Sequence, residues 1–173
     1  APLPEGERSR ENPHDLFYLN ALTAEVYFRN GKLDEARKFL SKAMAQFGKL
    51  NEEKIRAPWQ AGQWFSVIVM RWADGRIFPE ENLILTETIT SQPSKRTHLD
   101  NQILGKIYLM VGNYEQSLES FMRGYIYPPK DPRGWEFIVE LAQKAPHLEG
   151  WKAFLAHLAE KSKGDAEAQE QFH

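Results

Sequence analysis

The sequence predicts an all-α fold, a superhelix of stacked antiparallel helical hairpins with about seven or eight helices. Two segments, 24–36 and 105–117, repeat one pattern: a small residue, a tyrosine three positions later, a glycine four after it, a leucine or tyrosine two further on, and another small residue three beyond. Helix-forming residues such as Ala, Leu, Glu, Lys and Gln are abundant, while runs of β-branched residues are few and short. The repeat and the composition together favour paired helices.

Each position of the repeated pattern has a role in a helical hairpin. Small residues such as Ala24 and Gly105 let a second helix approach closely, and the tyrosine three positions later shares that face. Gly31 and Gly112 stand where a first helix must end, because glycine readily adopts the left-handed backbone that caps a helix. The small residue near the end of each segment, which is Ser117 in the second copy, marks where the second helix is predicted to contact the first.

The two segments resemble the tetratricopeptide repeat family, whose repeat of about 34 residues is a helical hairpin. The positions that match are Ala24, Tyr27, Gly31, Leu33, Ala36, Leu40 and Ala43 in the first copy and Leu104, Gly105, Tyr108, Gly112, Tyr114, Ser117, Phe121, Gly124 and Pro129 in the second. The resemblance implies a right-handed superhelix in which the first helix of each hairpin lines a concave surface.

A degenerate copy fits between the two clear ones. Counting from Gly75 as its hairpin glycine puts Ile77 on a family position, but Arg71 takes the place of the tyrosine. Beyond the second clear copy, Trp135 occupies the family's aromatic position in a divergent closing hairpin, where Pro146 replaces the glycine. The sequence therefore predicts three repeats and a closing hairpin.

These positions predict one domain over residues 14–163. Its parts are repeats at about 17–50, 61–93 and 98–131 and a divergent hairpin at 132–163. Residues 1–13 contain three prolines and few apolar residues and are expected to be flexible, and the polar residues 164–173 are expected to fray.

The first hairpin is predicted from the residues at its helix ends. A helix over 15–30 runs up to Gly31, and its partner over 33–47 carries Asp34 and Glu35 in its first turn, where carboxylates suit the helix dipole. Apolar residues of the second helix recur at helical spacing, which predicts one buried side.

Prolines mark the helices in the middle of the chain. Pro58 bends or restarts a helix that begins near 52 and continues over 59–73. A proline also opens the next helix, over 79–90. Alternating threonines leave a strand as the competing interpretation there, and the repeat register favours the helix.

Four helices are predicted in the last part of the chain. Those over 98–111 and 114–127 form the clearest hairpin. Asp131 supplies a capping side chain ahead of a proline in the first turn of a helix over 132–144. A helix over 148–161 closes the fold.

Composition narrows the classes of function. The chain has 173 residues, enough for one domain, and a formal charge of −2, which gives no global field for nucleic acid or a membrane surface. It contains no cysteine, so disulfides, thiol nucleophiles and cysteine metal ligands are excluded. No run approaches the roughly 18 apolar residues of a membrane span. We therefore expect no nucleic-acid partner and no span in this chain.

Motifs for catalysis are missing from the sequence. None of the five histidines lies three or four residues from another. There is no Gly-x-Ser-x-Gly, phosphate-binding glycine loop or dinucleotide fingerprint, and the carboxylates sit in first turns of helices or beside lysines. The sequence predicts a protein that is not an enzyme and holds no metal or cofactor.

The resemblance implies which residues line the concave groove. Carrying over the first-helix positions predicts an apolar groove, charged toward one end, that suits a peptide or an amphipathic helix. The predicted groove residues are Tyr18, Glu25, Phe28, Phe65, Val69, Trp72, Gln102, Lys106, Leu109 and Met110. The alternative for the apolar run 64–72 is a helix buried on all sides at the centre of a short stack.

One function of the resembled family is disfavoured. Members that bind chaperone tails clamp a terminal carboxylate with lysine, arginine and asparagine side chains in the groove. The corresponding positions here are Ala21, Glu25, Gly62, Ser66, Leu99 and Ile103. The clamp residues are absent, which argues against a heat-shock co-chaperone.

The sequence favours a non-catalytic scaffold for protein–protein interaction. Two alternatives stay open: an extracytoplasmic domain of a bacterial cell-envelope assembly or secretion factor, and an accessory domain of a larger enzyme. The Ala-Pro start resembles a processed end, and with the lack of cysteine it slightly favours a periplasmic or otherwise extracytoplasmic location. A boundary within a longer chain explains that start equally well.

Overall fold

The computed structural model describes residues 13–50 and 62–170, with residues 62–66 and 166–169 described by their backbone alone. These ranges contain eight α-helices and no strand, which confirms the all-α class. The helices are α1 (Pro13–Arg29), α2 (Leu33–Phe47), α3 (Gly62–Gly75), α4 (Pro79–Ile89), α5 (His98–Met110), α6 (Tyr114–Gly124), α7 (Pro132–Lys144) and α8 (Trp151–Glu170), with a 3₁₀ turn at Pro93–Lys95. The helix predicted from near residue 52 to Pro58 lies outside the described residues.

The chain divides into two compact units, Ala1–Ser66 and Val67–His173. In the first unit, α1 packs against α2. The predicted small contacts Ala24 and Ala36 are both buried. The rings of Tyr27 and Phe39 stack with their centroids 5.4 Å apart. This hairpin is therefore joined by small residues and covered by an aromatic pair.

In the second unit, α5 and α6 form the hairpin that the second copy predicts. The Ser117 hydroxyl donates to the carbonyl of Gly105 over 2.7 Å, so the two small residues meet as expected. A Cβ atom on Gly105 would lie 2.4 Å from the ring of Phe121. Gly31 and Gly112 have φ of 74° and 84°, the left-handed backbone predicted for both turns. The two clear copies thus close in the same way.

The register predicted for the middle hairpin is off by one residue. In the clear copies, the amides of Lys32 and Asn113 bond to the carbonyls of Tyr27 and Tyr108 over 2.9 and 2.8 Å. In the turn between α3 and α4, the amide of Ile77 makes this bond to Trp72 over 3.0 Å. Trp72 therefore takes the place of the tyrosine.

Arg76, and not Gly75, takes the place of the hairpin glycine in this middle turn. Arg76 and Phe78 have left-handed φ of 54° and 48°, which is unfavourable for residues with a side chain. Tertiary contacts hold them there: Phe78 packs edge-on against Trp72 at 5.1 Å, and Arg76 is bound to Glu140. The sequence analysis had assigned this position to Gly75 because glycine favours a left-handed backbone, but Arg76 is the residue that adopts it.

The second unit continues into an apolar cluster shared by α5 to α8. Its buried members are Leu109, Leu118, Phe121, Tyr125, Phe137, Ile138, Leu141, Ala145, Trp151, Phe154 and Leu158. α8 begins at Trp151, later than predicted, because its indole donates to the Ala145 carbonyl over 2.9 Å and Gly150 turns with φ of 98°. The helix also continues to Glu170 through residues expected to fray, since these are strong helix formers.

Replacing Gly105 by alanine tests the close helix contact. The new methyl group would overlap the Phe121 ring, so we expect Gly105→Ala to lower the free energy of unfolding by about 1–3 kcal/mol. Chemical denaturation followed by circular dichroism measures the change. Gly164→Ala is the matched control: it lies in α8 with open space around it and should stabilise the protein by up to about 1 kcal/mol. Equal effects at both positions would contradict the close contact.

Glycine should be more stable than alanine at both left-handed positions, 112 and 76. Gly112→Ala forces alanine into the left-handed region and should cost about 1–2 kcal/mol. At position 76 the native residue is not glycine: Arg76→Gly and Arg76→Ala both lose the ion pair, but only glycine relieves the backbone. We expect the glycine variant to be more stable than the alanine variant by about 1 kcal/mol in denaturant titrations. An alanine variant at least as stable as the glycine variant would show that the turn is unstrained.

Candidate binding cleft

A cleft of about 460 Å³ opens in the second unit beside the N-terminal half of α5. We call it the α5 cleft. Its walls come from the end of α3, from α5, and from the connection between α6 and α7. The lining residues are Met70, Asp74, His98, Leu99, Gln102, Lys106, Gly124, Tyr125, Ile126, Tyr127, Pro128, Pro129, Lys130, Asp131 and Gly134.

A capping box orients the α5 wall. The Thr97 hydroxyl accepts from the Asp100 amide over 3.1 Å, and the Asp100 carboxylate accepts from the Thr97 amide over 3.0 Å. The box satisfies amides that the first turn of a helix leaves unpaired, so the helix start is well defined. Leu99 stands just inside this start, 48% exposed, and lines the cleft. Its apolar side chain is thus presented from a rigid turn.

The opposite wall is the connection 125–131, which is anchored at one point of its own and at two in the last turn of α6. Gln102 donates its side-chain amide to the Gly124 carbonyl over 2.9 Å. The His98 and His157 rings contact the carbonyls of Arg123 and Ile126 at 3.1 and 2.7 Å. These bonds hold the chain beside α5 while leaving Tyr127 exposed.

Two glycines allow the connection to lie this close. A Cβ atom on Gly124 would be 2.7 Å from the backbone nitrogen of Gln102. One on Gly134 would be 2.7 Å from Pro129 and 2.9 Å from the Tyr125 hydroxyl oxygen. Side chains at either position would push the connection away from α5 or from α7. The shape of the cleft therefore depends on both.

Asp74 and Lys106 form one end of the cleft, which we call its inner end, and are paired with each other. A second ion cluster lies outside the cleft lining, and its Arg76 shares the Phe137 ring with Lys106. Lys106 binds Asp74 over 2.7 Å, and both side chains are largely buried. Arg76 and Lys144 both bind Glu140, the second over 2.9 Å. The Lys106–Asp74 pair connects α5 to α3, and the Arg76–Glu140 pair connects the turn after α3 to α7. The ion pairs therefore join α3, α5 and α7, which are the first helices of their hairpins.

Phe137 lies beneath these cations. The Arg76 guanidinium and the Lys106 ammonium lie 4.3 and 5.4 Å from the centre of its buried ring. Both contacts are within the range of cation–π attraction. The cluster is therefore fixed from the core side as well as by its carboxylates.

Three groups in or near the cleft have shifted pKa values. Burial, with the negative charges of Asp74 and Asp131, raises the pKa of Tyr125 to about 12, so this phenol stays neutral. Burial alone would raise the pKa of Glu140, but hydrogen bonds from Lys144 and Arg76 outweigh it, and the pKa is lowered. Glu140 in turn raises the pKa of Lys144. Glu140 and Lys144 are thus both charged at neutral pH.

The structure separates the predicted groove residues of the second unit into two sets. Gln102 and Lys106 line the α5 cleft. Val69, Trp72 and Leu109 are buried, which corrects their assignment to an open surface. For Trp72, a core position is what the alternative interpretation of its helix expected. Met110, also predicted, is half-buried against the apolar cluster.

The one-residue error in register explains the assignment of Val69, on α3, to the groove. Correcting it aligns Met70 and Asp74 with Lys106 and Met110, and Met70 and Asp74 both line the cleft. The uncorrected register had selected their neighbours Val69 and Ala73, which point into the core. When the turn is defined by its hydrogen bonds, Met70 and Asp74 are the residues that occupy the groove positions of α3.

In the first unit the predicted residues do not form an open surface. Glu25 is buried, and its carboxylate binds Arg29 over 3.0 Å. Tyr18 is half-buried with its ring edge-on to Phe17 at 5.6 Å, and Phe28 is half-buried as well. The side chain of Phe65 lies outside the described residues.

Sequence reasoning missed the residues of the connection. Tyr127 was predicted as the end of the helix over 114–127, and Pro128 and Lys130 were given no binding role, although exposed tyrosines are enriched at recognition surfaces. A shallower depression of about 420 Å³ shares Pro129 and Lys130 with the cleft and extends to Trp135 and Val139. The apolar surface therefore continues along α7.

No family model matches the chain, and the comparisons with curated proteins and with solved structures gave no match. Over the described ranges, the helices are too short or too polar to cross a membrane. Among the same residues, no three His, Cys, Asp or Glu side chains are grouped as metal ligands would be.

Removing the Glu140 carboxylate should make stability depend less on pH. Because its folded-state pKa is lowered, the ionised group stabilises the fold at neutral pH, and this contribution is lost as the pH falls through the lowered value. Glu140→Gln should reduce the free energy of unfolding by about 1 kcal/mol at pH 7, and the difference from wild type should shrink as the pH falls below 4.5 and through the lowered pKa of Glu140.

Thermal melts across that pH range measure this effect. Glu119→Gln is the control, since Glu119 also binds an arginine, Arg123, but both side chains are more than half exposed. It should change stability little at any pH. A constant difference between the Glu140 variant and wild type from pH 7 to pH 3 would refute the role of the charge.

Proposed function

We propose that this protein is a non-catalytic scaffold that binds an extended peptide segment of a partner protein in the α5 cleft. We also propose that its hairpins are tetratricopeptide-type repeats arranged as a right-handed superhelix. The resemblance of segments 24–36 and 105–117 to that family supports both proposals. The observation that carries the binding function is the composition of the cleft.

The cleft combines apolar walls with an available amide. Leu99 and Tyr127 are about half exposed on facing walls and offer apolar contact to a side chain. Gln102 uses one N–H on Gly124, and within the described part of the chain its other N–H and its carbonyl oxygen have no partner. An amide with a free donor and acceptor can bond to both groups of a peptide backbone. Few, well-placed polar groups among apolar ones are typical of binding sites.

The size of the cleft favours an extended segment over a helix. A volume of about 460 Å³ accommodates a few side chains, whereas a helix with its side chains is about 10 Å across. The charged groups at the inner end are already paired, so a ligand gains little by bringing a charge there. The expected ligand is therefore an apolar side chain flanked by backbone that reaches Gln102.

Peptides selected from a random library against the wild-type chain test this proposal. We expect the selected peptides to lose at least about ten-fold in affinity for Tyr127→Ala and for Leu99→Glu, measured by fluorescence anisotropy. Ile84→Ala is the control, because Ile84 is similarly exposed on α4, is absent from the cleft lining and should bind normally. Circular dichroism should show the same helix content in all three variants.

Two results would overturn the proposal. One is that no selected peptide binds with an affinity that responds to either cleft substitution. The other is that binding falls equally in Ile84→Ala, which would place the peptide elsewhere.

Gly134→Ala provides a second test through the shape of the cleft. The added methyl group would collide with Pro129 and Tyr125, so the connection must move. We expect weaker peptide binding together with a loss of about 1–3 kcal/mol in stability. Arg133→Ala, at a neighbouring exposed position, should change neither. Wild-type affinity in Gly134→Ala would show that the position of the connection does not matter for binding.

A further inference from the structure

Helix α1 carries an exposed apolar stripe on the side opposite its packed face. Leu19, Leu22 and Val26 are 63%, 42% and 59% exposed. Their spacing of three and four residues places them on one side of the helix. Phe17 and Ala24, which are buried, lie on the other side. We call these three residues the α1 stripe.

The internal repeat allows the α1 stripe to be compared with the corresponding residues of α5. Aligning the two copies places Leu22 and Val26 of α1 on Ile103 and Ile107 of α5. The two isoleucines are buried, and α5 packs against α4 as well as against α6. The same apolar positions are thus enclosed in one copy and open in the other. The α1 stripe has the chemistry of a helix–helix interface.

Charged residues at both ends of the stripe indicate which helix would complete it. Asp15 and Arg29 each lie seven residues from Leu22, one before and one after, and so share its side of the helix. Both are exposed. Arg29 binds Glu25 through one edge of its guanidinium, which leaves further donors, and Asp15 has no ion pair among the described residues.

An antiparallel copy of α1 matches this arrangement. With a two-fold axis near Leu22, Asp15 of each copy lies opposite Arg29 of the other, and the leucines and valine of the stripe face each other. A parallel arrangement would instead place like charges together. The stripe is therefore complementary to itself in one orientation, as a two-fold interface requires.

We propose that the α1 stripe is the interface of an antiparallel homodimer, in which α1 of one copy packs against α1 of another. Each copy supplies the same three apolar residues and both charges. The interface is independent of the α5 cleft, because every residue it uses lies on α1.

The oligomeric state in solution tests the proposal. Sedimentation equilibrium of the full chain over a range of concentrations should show a reversible dimer. Leu22→Glu with Val26→Glu should abolish the dimer and leave the circular dichroism spectrum unchanged, because both side chains are exposed. Ile84→Glu, at an equally exposed apolar position on α4, should leave the dimer intact. Asp15→Lys, which turns attraction into repulsion at both ends, should raise the dimer dissociation constant about ten-fold.

The absence of cysteine from the chain allows a direct test of orientation. Leu22→Cys, close to the two-fold axis, should form a disulfide-linked dimer on oxidation, because its two copies approach within bonding range. Ile84→Cys should form no disulfide-linked dimer under the same conditions. A wild-type chain that is monomeric at every concentration, or a dimer that survives the double glutamate substitution, would overturn the proposal. So would equal cross-linking of the two cysteine variants.

Discussion

Close contact between helices at small residues is the constraint on which the described hairpins depend. At Gly105 the ring of Phe121 occupies the space of a side chain, and the Ser117 hydroxyl reaches the Gly105 carbonyl. This contact brings α5 and α6 together closely enough for Leu109 and Leu118 to join one apolar cluster with α7 and α8. The same principle acts at Gly124 and positions one wall of the cleft.

The turn between α3 and α4 shows how tertiary contacts can replace a local signal. It closes with the same hydrogen bond as the glycine turns, yet its left-handed residue is an arginine. Arg76 gains an ion pair with Glu140 and a contact with the Phe137 ring, which offset the unfavourable backbone. The unfavourable backbone of this turn is therefore stabilised by the packing of α7, which supplies both contacts. Because Asp74, two residues before Arg76, binds Lys106, the same region also closes the inner end of the cleft.

The cleft was only partly predictable for the same reason. Gln102 and Lys106 follow from the clear copy of the repeat, whose turn is marked by Gly112. Met70 and Asp74 were missed because the middle turn carries a glycine one position before the residue that actually reverses the chain. Tyr127 was missed because the sequence placed it in the helix over 114–127, whereas α6 ends at Gly124, and residues in connections have no periodicity from which a face can be inferred.

The sequence by itself determined where most helices begin and end and which small residues join the hairpins. These features depend on local chemistry: Asp131 and Pro132 start α7, and glycine permits the turns at 31 and 112. Tertiary structure decided which apolar side chains form core and which form surface. Trp72 and Leu99 have similar apolar character, but one is buried and the other is open, because burial depends on whether another element lies against that side of the helix.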